Sequence, residues 1–75
     1  MRAYIVITVG PGKARDVARS VTGLTGVKMA NACWGSPDVF AVVELAEQKD
    51  LDKLVIDKIQ KIEGVGRTET HIAID

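Results

Sequence analysis

Few residues in this chain of 75 could do chemistry, and they fall in two places. Gly35-Ser36-Pro37-Asp38 sets a carboxylate at a tight turn, where a flexible, backbone-rich rim could hold an ammonium group. Thr68 and Thr70 stand two apart, which puts both hydroxyls on one face of a β-strand, spaced to engage a carboxylate or a partner backbone. Each has a plainer reading. Asp is common at turns, and Thr pairs in strands serve β-propensity and cross-strand pairing.

The other reactive groups are isolated. Cys33 and His71 are the only soft metal ligands, and no CxxC, HxxxH or His-carboxylate cluster surrounds either, so no metal or other cofactor is expected. Cys33 reads as a small strand hydrophobe and His71 as an exposed strand residue beside Glu69. No Ser/His/Asp set is identifiable by spacing. Gly10-Pro11-Gly12 follows a strand and opens a helix, as phosphate sites do, but it lacks GxGxxG or GxxxxGK[ST]. A turn with a helix start explains all three residues.

The hydrophobic pattern gives the elements that must position these groups. Residues 3–9 read as a buried strand, stopped by Gly10-Pro11-Gly12. From Lys13, the apolar positions Ala14, Val17, Ala18, Val21 and Leu24 make one helical stripe that ends between Thr22 and Gly26. Val27 to Trp34 and Val39 to Leu45 are hairpin partners across the Gly35–Asp38 turn. A second helix carries Leu51, Leu54, Val55, Ile59 and Ile62, with Asp50 as its N-cap and Gly64 just past its end. The last strand runs about Gly66 to Ile74.

This is βαββαβ, and its halves echo each other: one offset lays Val17 on Val55, Val21 on Ile59, Leu24 on Ile62 and Gly26 on Gly64. Right-handed crossovers then favour an α+β, ferredoxin-like fold, a four-stranded antiparallel sheet in order 4-1-3-2 with both helices on one face. The sheet is apolar on both faces. A helix-free face presenting Tyr4, Val6, Phe40 and Val42, or their alternates, exceeds what soluble monomers leave exposed, and a sheet-to-sheet homodimer resolves it.

Composition agrees. At this size folding removes only roughly 62% of the unfolded chain's surface, and one cysteine permits no internal disulfide, so burial against a second protomer is the expected staple. Ten Lys+Arg balance ten Asp+Glu, which argues against direct nucleic-acid binding, and three aromatic residues are too few for a base-stacking platform. The apolar run 4–9 is too short to span a bilayer and lacks a signal-peptide cleavage site, so no membrane partner is expected and the cytoplasm is the default.

Taken in order, Gly26-Val27, Gly35-x-x-Asp38 leading into Val39-Phe40-Ala41-Val42, Ile62-Glu63-Gly64-Val65, and Thr68-x-Thr70 with His71-Ile72-Ala73-Ile74 resemble the effector-binding module of the Lrp/AsnC family of transcriptional regulators. That module is known as RAM, for regulation of amino-acid metabolism. The resemblance runs over essentially all of residues 1–75, without the family's usual helix-turn-helix DNA-binding domain before strand one, so the chain looks like a stand-alone version. It implies a homodimer that associates into a higher ring oligomer, with an amino-acid effector bound between dimers near the strand 2–3 loop. Gly35 and Asp38 match the family's Gly-x-x-Asp loop, where Asp38 would accept hydrogen bonds from the α-amino group, and Thr68 and Thr70 match threonines lining the same interface. The pattern departs from the family at Pro37, often aromatic there, and in having Trp34 directly before the loop.

Strands two and four are opposite edges of the expected sheet, so Asp38 and the two threonines should not share a site within one protomer; a shared site would be intermolecular. Three functions follow. The first is a ligand-sensing module that co-assembles with full-length Lrp/AsnC regulators. The second is an oligomer that has no ligand, and the third a small dimeric α+β enzyme with His71 or Asp38 as general base. An ACT-type domain shares the element order, but Thr68-x-Thr70 favours the RAM reading over it.

Overall fold

A computed structural model describes residues 1–75. Along the chain lie β1 (Arg2–Val9), α1 (Ala14–Thr22), β2 (Val27–Ala32), β3 (Val39–Glu44), α2 (Gln48–Lys53) and β4 (Val65–Ile72), and α2 continues through a π turn (Leu54–Lys58) and a 3₁₀ turn (Ile59–Lys61). The strands form one antiparallel sheet in the order β2-β3-β1-β4, the ferredoxin-like arrangement expected. Strands β2 and β4 end at Ala32 and Ile72, short of the expected Trp34 and Ile74, so Cys33 is exposed beyond the strand rather than packed as a strand hydrophobe.

Strand pairing sorts the side chains between the faces. In the β1–β3 register Ala3 lies opposite Val43, Ile5 opposite Ala41 and Ile7 opposite Val39. All six are buried, and they pack with Val17, Ala18 and Val21 of α1 and with Leu51, Leu54 and Ile59 to form the core. No polar or charged residue is buried. The opposite face carries the alternates, of which Tyr4 is 43% exposed, Phe40 44% and Met29 54%, with Val6 and Val42 half-buried.

The second helix departs from the expected regular stripe. Glu47 is its N-cap, and Asp50 sits at the third helical position, where its Oδ2 accepts a hydrogen bond from the Glu47 amide at 3.3 Å. The carboxylate at that position reaches back to satisfy a donor the helix leaves orphaned, so Asp50 belongs to a capping box and does not begin the helix. In a regular α-helix Leu54 and Ile59 would point about 140° apart, at about 100° per residue. The π turn, in which the Ile59 amide donates to the Leu54 carbonyl, brings both onto the core face and leaves Val55 only half-buried.

The internal echo survives at the strand entries. Gly26 and Gly64 adopt φ of +93° and +100°, and their carbonyls accept hydrogen bonds from the amides of Glu44 and Gly10, at 2.9 Å each. At Gly26 a Cβ would come within 2.4 Å of Leu45 Cδ2 as well as being strained by φ. Gly26→Ala is therefore expected to destabilise the fold by more than about 1 kcal/mol, and Ile5→Ala by about 2–5 kcal/mol, both read from denaturant unfolding midpoints.

An ion pair closes the β1–β3 ladder at its Arg2–Glu44 end. The hydrogen bond from Arg2, then its charge, holds the Glu44 carboxyl below its ordinary pKa of 4.5, and Glu44 in turn raises the Arg2 guanidinium. A carboxyl whose pKa is depressed on folding stabilises above its unfolded value and loses that contribution as pH falls through the folded value. Both side chains are exposed, so the effect is small and screened by salt. The melting temperature of Glu44→Gln should lie below that of the parent at pH 7 and low salt. The gap should close as pH is lowered beneath 4.5, and in about 1 M salt.

Candidate functional site

Antiparallel pairing of β1 with β3 brings the end of one beside the start of the other. Hence Val9 and the following Gly10-Pro11-Gly12 turn meet Asp38. The Asp38 amide donates to the Ile7 carbonyl at 3.1 Å, and its own carbonyl accepts from the Cys33 amide at 2.7 Å, closing the hairpin. One step further the β3 backbone has left the sheet, and the Asp38 side chain takes over: Oδ1 accepts the Val9 amide at 3.1 Å. The half-buried carboxylate is thereby fixed in position, with Oδ2 left for other donors.

Asp38 lines a hollow of about 430 Å³ together with Gly10, Pro11, Gly12, Arg15 and Trp34. A carboxylate, a guanidinium and an indole thus border one concavity. Arg15 lies on the exposed side of α1 directly after the glycine turn, and Trp34 is fully exposed beyond β2. Arg15 was missed in the sequence because the turn read as punctuation alone. The signal that finds it is the 4-1-3-2 order itself, which forces the β1–α1 turn against the start of β3.

Gly35, with φ of +100°, turns the loop without closing on any other atom. The loop then crosses β1 on the helix-free face, where Ser36 and Pro37 share a hollow of about 220 Å³ with Thr8, Arg67, Thr68 and Glu69. Only β1 stands between β3 and β4, so the residues before Asp38 reach the Arg67–Glu69 stretch of β4. Asp38 itself is not among the residues lining that hollow.

The two threonines do share a face. In the β1–β4 register Thr68 lies opposite Ile7 and Thr70 opposite Ile5, both core residues, which turns the hydroxyls to the helix side of an edge strand. Thr68 Oγ1 accepts a hydrogen bond from Gln60 Nε2 at 3.0 Å, and Thr70 is exposed. His71 is exposed on the other face, its Nε2 3.3 Å from Glu69 Oε1.

A further hollow of about 230 Å³ adjoins the Asp38 hollow, lined by Ala14, Arg15, Ala32, Cys33 and Trp34, and two more lie elsewhere. One of about 610 Å³ sits between the chain ends beside Tyr4 and the Arg2–Glu44 pair, whose charges already meet each other. Another of about 490 Å³ lies between the end of α1 and α2. No three His, Cys, Asp or Glu side chains come together that could hold a metal ion, and no helix is long and apolar enough to cross a membrane.

Comparison with known proteins sets this geometry among relatives. Residues 2–75 match the family described as the Lrp/AsnC ligand binding domain. An uncharacterized helix-turn-helix-type transcriptional regulator of Pyrococcus furiosus is 36% identical over 70 residues, covering 93% of this chain and 47% of the regulator. The chain thus spans about half the length of the curated relatives it matches. The crystal structure of a hypothetical protein from Pyrococcus horikoshii superposes with a TM-score of 0.89 at 34% identity, over 97% of this chain and 88% of that one. A Neisseria meningitidis transcriptional regulator, solved as a complex with L-methionine, shares the fold alone, with a TM-score of 0.85 at 20% identity, over 99% of this chain and 49% of that one.

Because Asp38 Oδ1 satisfies the Val9 amide, Asp38→Ala should cost about 1–3 kcal/mol, the penalty for orphaning a partly buried donor. Asp38→Asn keeps an oxygen in that position and should recover most of the loss. Urea unfolding of the three proteins side by side measures it.

Proposed function

Since the chain belongs to the Lrp/AsnC ligand-binding-domain family, we propose that it senses an amino acid at the Asp38 hollow and acts on longer Lrp/AsnC regulators by co-assembling with them in the cytoplasm. The observation that carries this reading is the pairing of Asp38 and Arg15 in one lining. A free amino acid is a zwitterion. The unoccupied oxygen of Asp38 suits its ammonium group and the Arg15 guanidinium its carboxylate, and charge-assisted bonds of this kind are the strong ones. A carboxylate already held by the Val9 amide spares a ligand part of the ordering cost of binding.

Assembly is the second part of the reading. The accessible surface is 4956 Å², above the roughly 4,500 Å² that size scaling gives a folded monomer of this mass. The excess is in keeping with an uncovered sheet face. A homodimer sandwiching Tyr4, Val6, Phe40 and Val42 against their copies would bury it, and dimers meeting edge to edge would build a ring. In that ring Gly35 shapes the loop that touches the next dimer, and Thr68 and Thr70 border the contact from the helix side of edge strand β4. Ligand bound at such a contact couples to assembly by linkage.

A catalytic role finds less support. The core is filled by apolar side chains, with no titratable residue enclosed in it. The balanced charge fits a module that reaches DNA only through partners carrying their own DNA-binding helices.

Sedimentation velocity tests both parts. A panel of amino acids should include one or more that shift the oligomer distribution, and Asp38→Asn should abolish the shift while leaving the dimer intact. Phe40→Asp should instead give monomers at concentrations where the parent is dimeric. A distribution that no amino acid changes would sink the sensing reading.

A further inference from the structure

We propose that Trp34 makes the Asp38 hollow selective for amino acids with an aromatic side chain. The proposal rests on the effector reading above and adds the ligand class. Trp34 is the only tryptophan, and it is fully exposed, an unfavourable place for the largest apolar side chain unless something stacks on it. It is not adrift. The residue before it is tied by the Cys33 amide to the Asp38 carbonyl, so the indole stands on the same closed hairpin as the carboxylate.

Competition decides among side chains that could lie on an indole. A lysine, arginine or acidic side chain would compete with the ligand's own ammonium or carboxylate for Asp38 or Arg15, and would give up its hydration to lie on the ring. A small aliphatic one leaves most of the 430 Å³ unfilled and the indole wet. A planar apolar ring fills the hollow and covers the indole: backbone charges to Asp38 and Arg15, ring face to Trp34.

The indole is both the proposed contact and its reporter. L-phenylalanine should bind about tenfold more tightly than L-alanine, the preference expected of a stacked aromatic pair, with L-lysine weaker than L-phenylalanine, by calorimetry. As the L-phenylalanine isotherm fills, Trp34 emission should move to the blue or be quenched in step. Trp34→Ala should bring the phenylalanine-to-alanine ratio close to one, and Trp34→Phe should keep it high. Because Trp34 makes no buried contact, these variants are expected to fold, and their circular dichroism checks it. Equal affinities for the two ligands, or saturation with no change in emission, would overturn the selectivity and leave the effector reading standing. Emission already blue-shifted without ligand and unmoved by it would assign Trp34 to a subunit contact and overturn the proposal. Failure of every amino acid to bind would remove both readings together.

Discussion

Both faces of the central β1–β3 pair are apolar, and two helices can cover only one of them. Ile5, Ile7, Ala41 and Val43 go under the helices and vanish from solvent, whereas Tyr4, Val6, Phe40 and Val42 stay at least partly in water. With 12 of 75 residues buried, the core is small for the chain, and a second source of burial is what such a domain needs. The distorted second helix answers the same need from the other side. Its π turn sacrifices regular hydrogen bonding to place Leu54 and Ile59 together against the sheet, where a regular helix would bury only one.

Much of this was legible in the sequence because it depends on periodicity. The switch from alternation in residues 3–9 to three-and-four spacing from Ala14 determined element type, and the balanced halves determined topology. The exposed set on the helix-free face followed from strand parity alone. What periodicity could not reach were effects of single residues. Whether Asp50 or Glu47 begins α2 depends on which backbone amide a carboxylate reaches, and the π turn depends on how one helix fits under one sheet.

The candidate site was half legible for the same reason. Gly35-x-x-Asp38 shows itself as a turn with a carboxylate, and Thr68 and Thr70 as a pair on one strand face. Their relation to each other and to Arg15 is set by which strands are neighbours. Strand order places β1 between β3 and β4, so Ser36 and Pro37 reach Thr68 across one strand while the Gly10–Gly12 turn comes against Asp38. Residues distant in sequence become one lining only after the sheet is ordered.

The β1–β3 ladder is clasped by side chains at both ends, and the two clasps differ in what can loosen them. At one end Arg2 and Glu44 are both exposed, so their attraction falls with salt and with acid. At the other, Asp38 Oδ1 holds the Val9 amide in a half-buried position where solvent screening is weaker. Because that bond uses one oxygen only, a ligand's ammonium group could take the second without competing for the first. Binding would then add to the clasp instead of replacing it. The carboxylate is already oriented by the fold, so little of the binding free energy would go to ordering it. The same bond ties the loop that carries Gly35 and Trp34 to the end of β1, and anything that tightens it stiffens the loop where a neighbouring dimer would make contact.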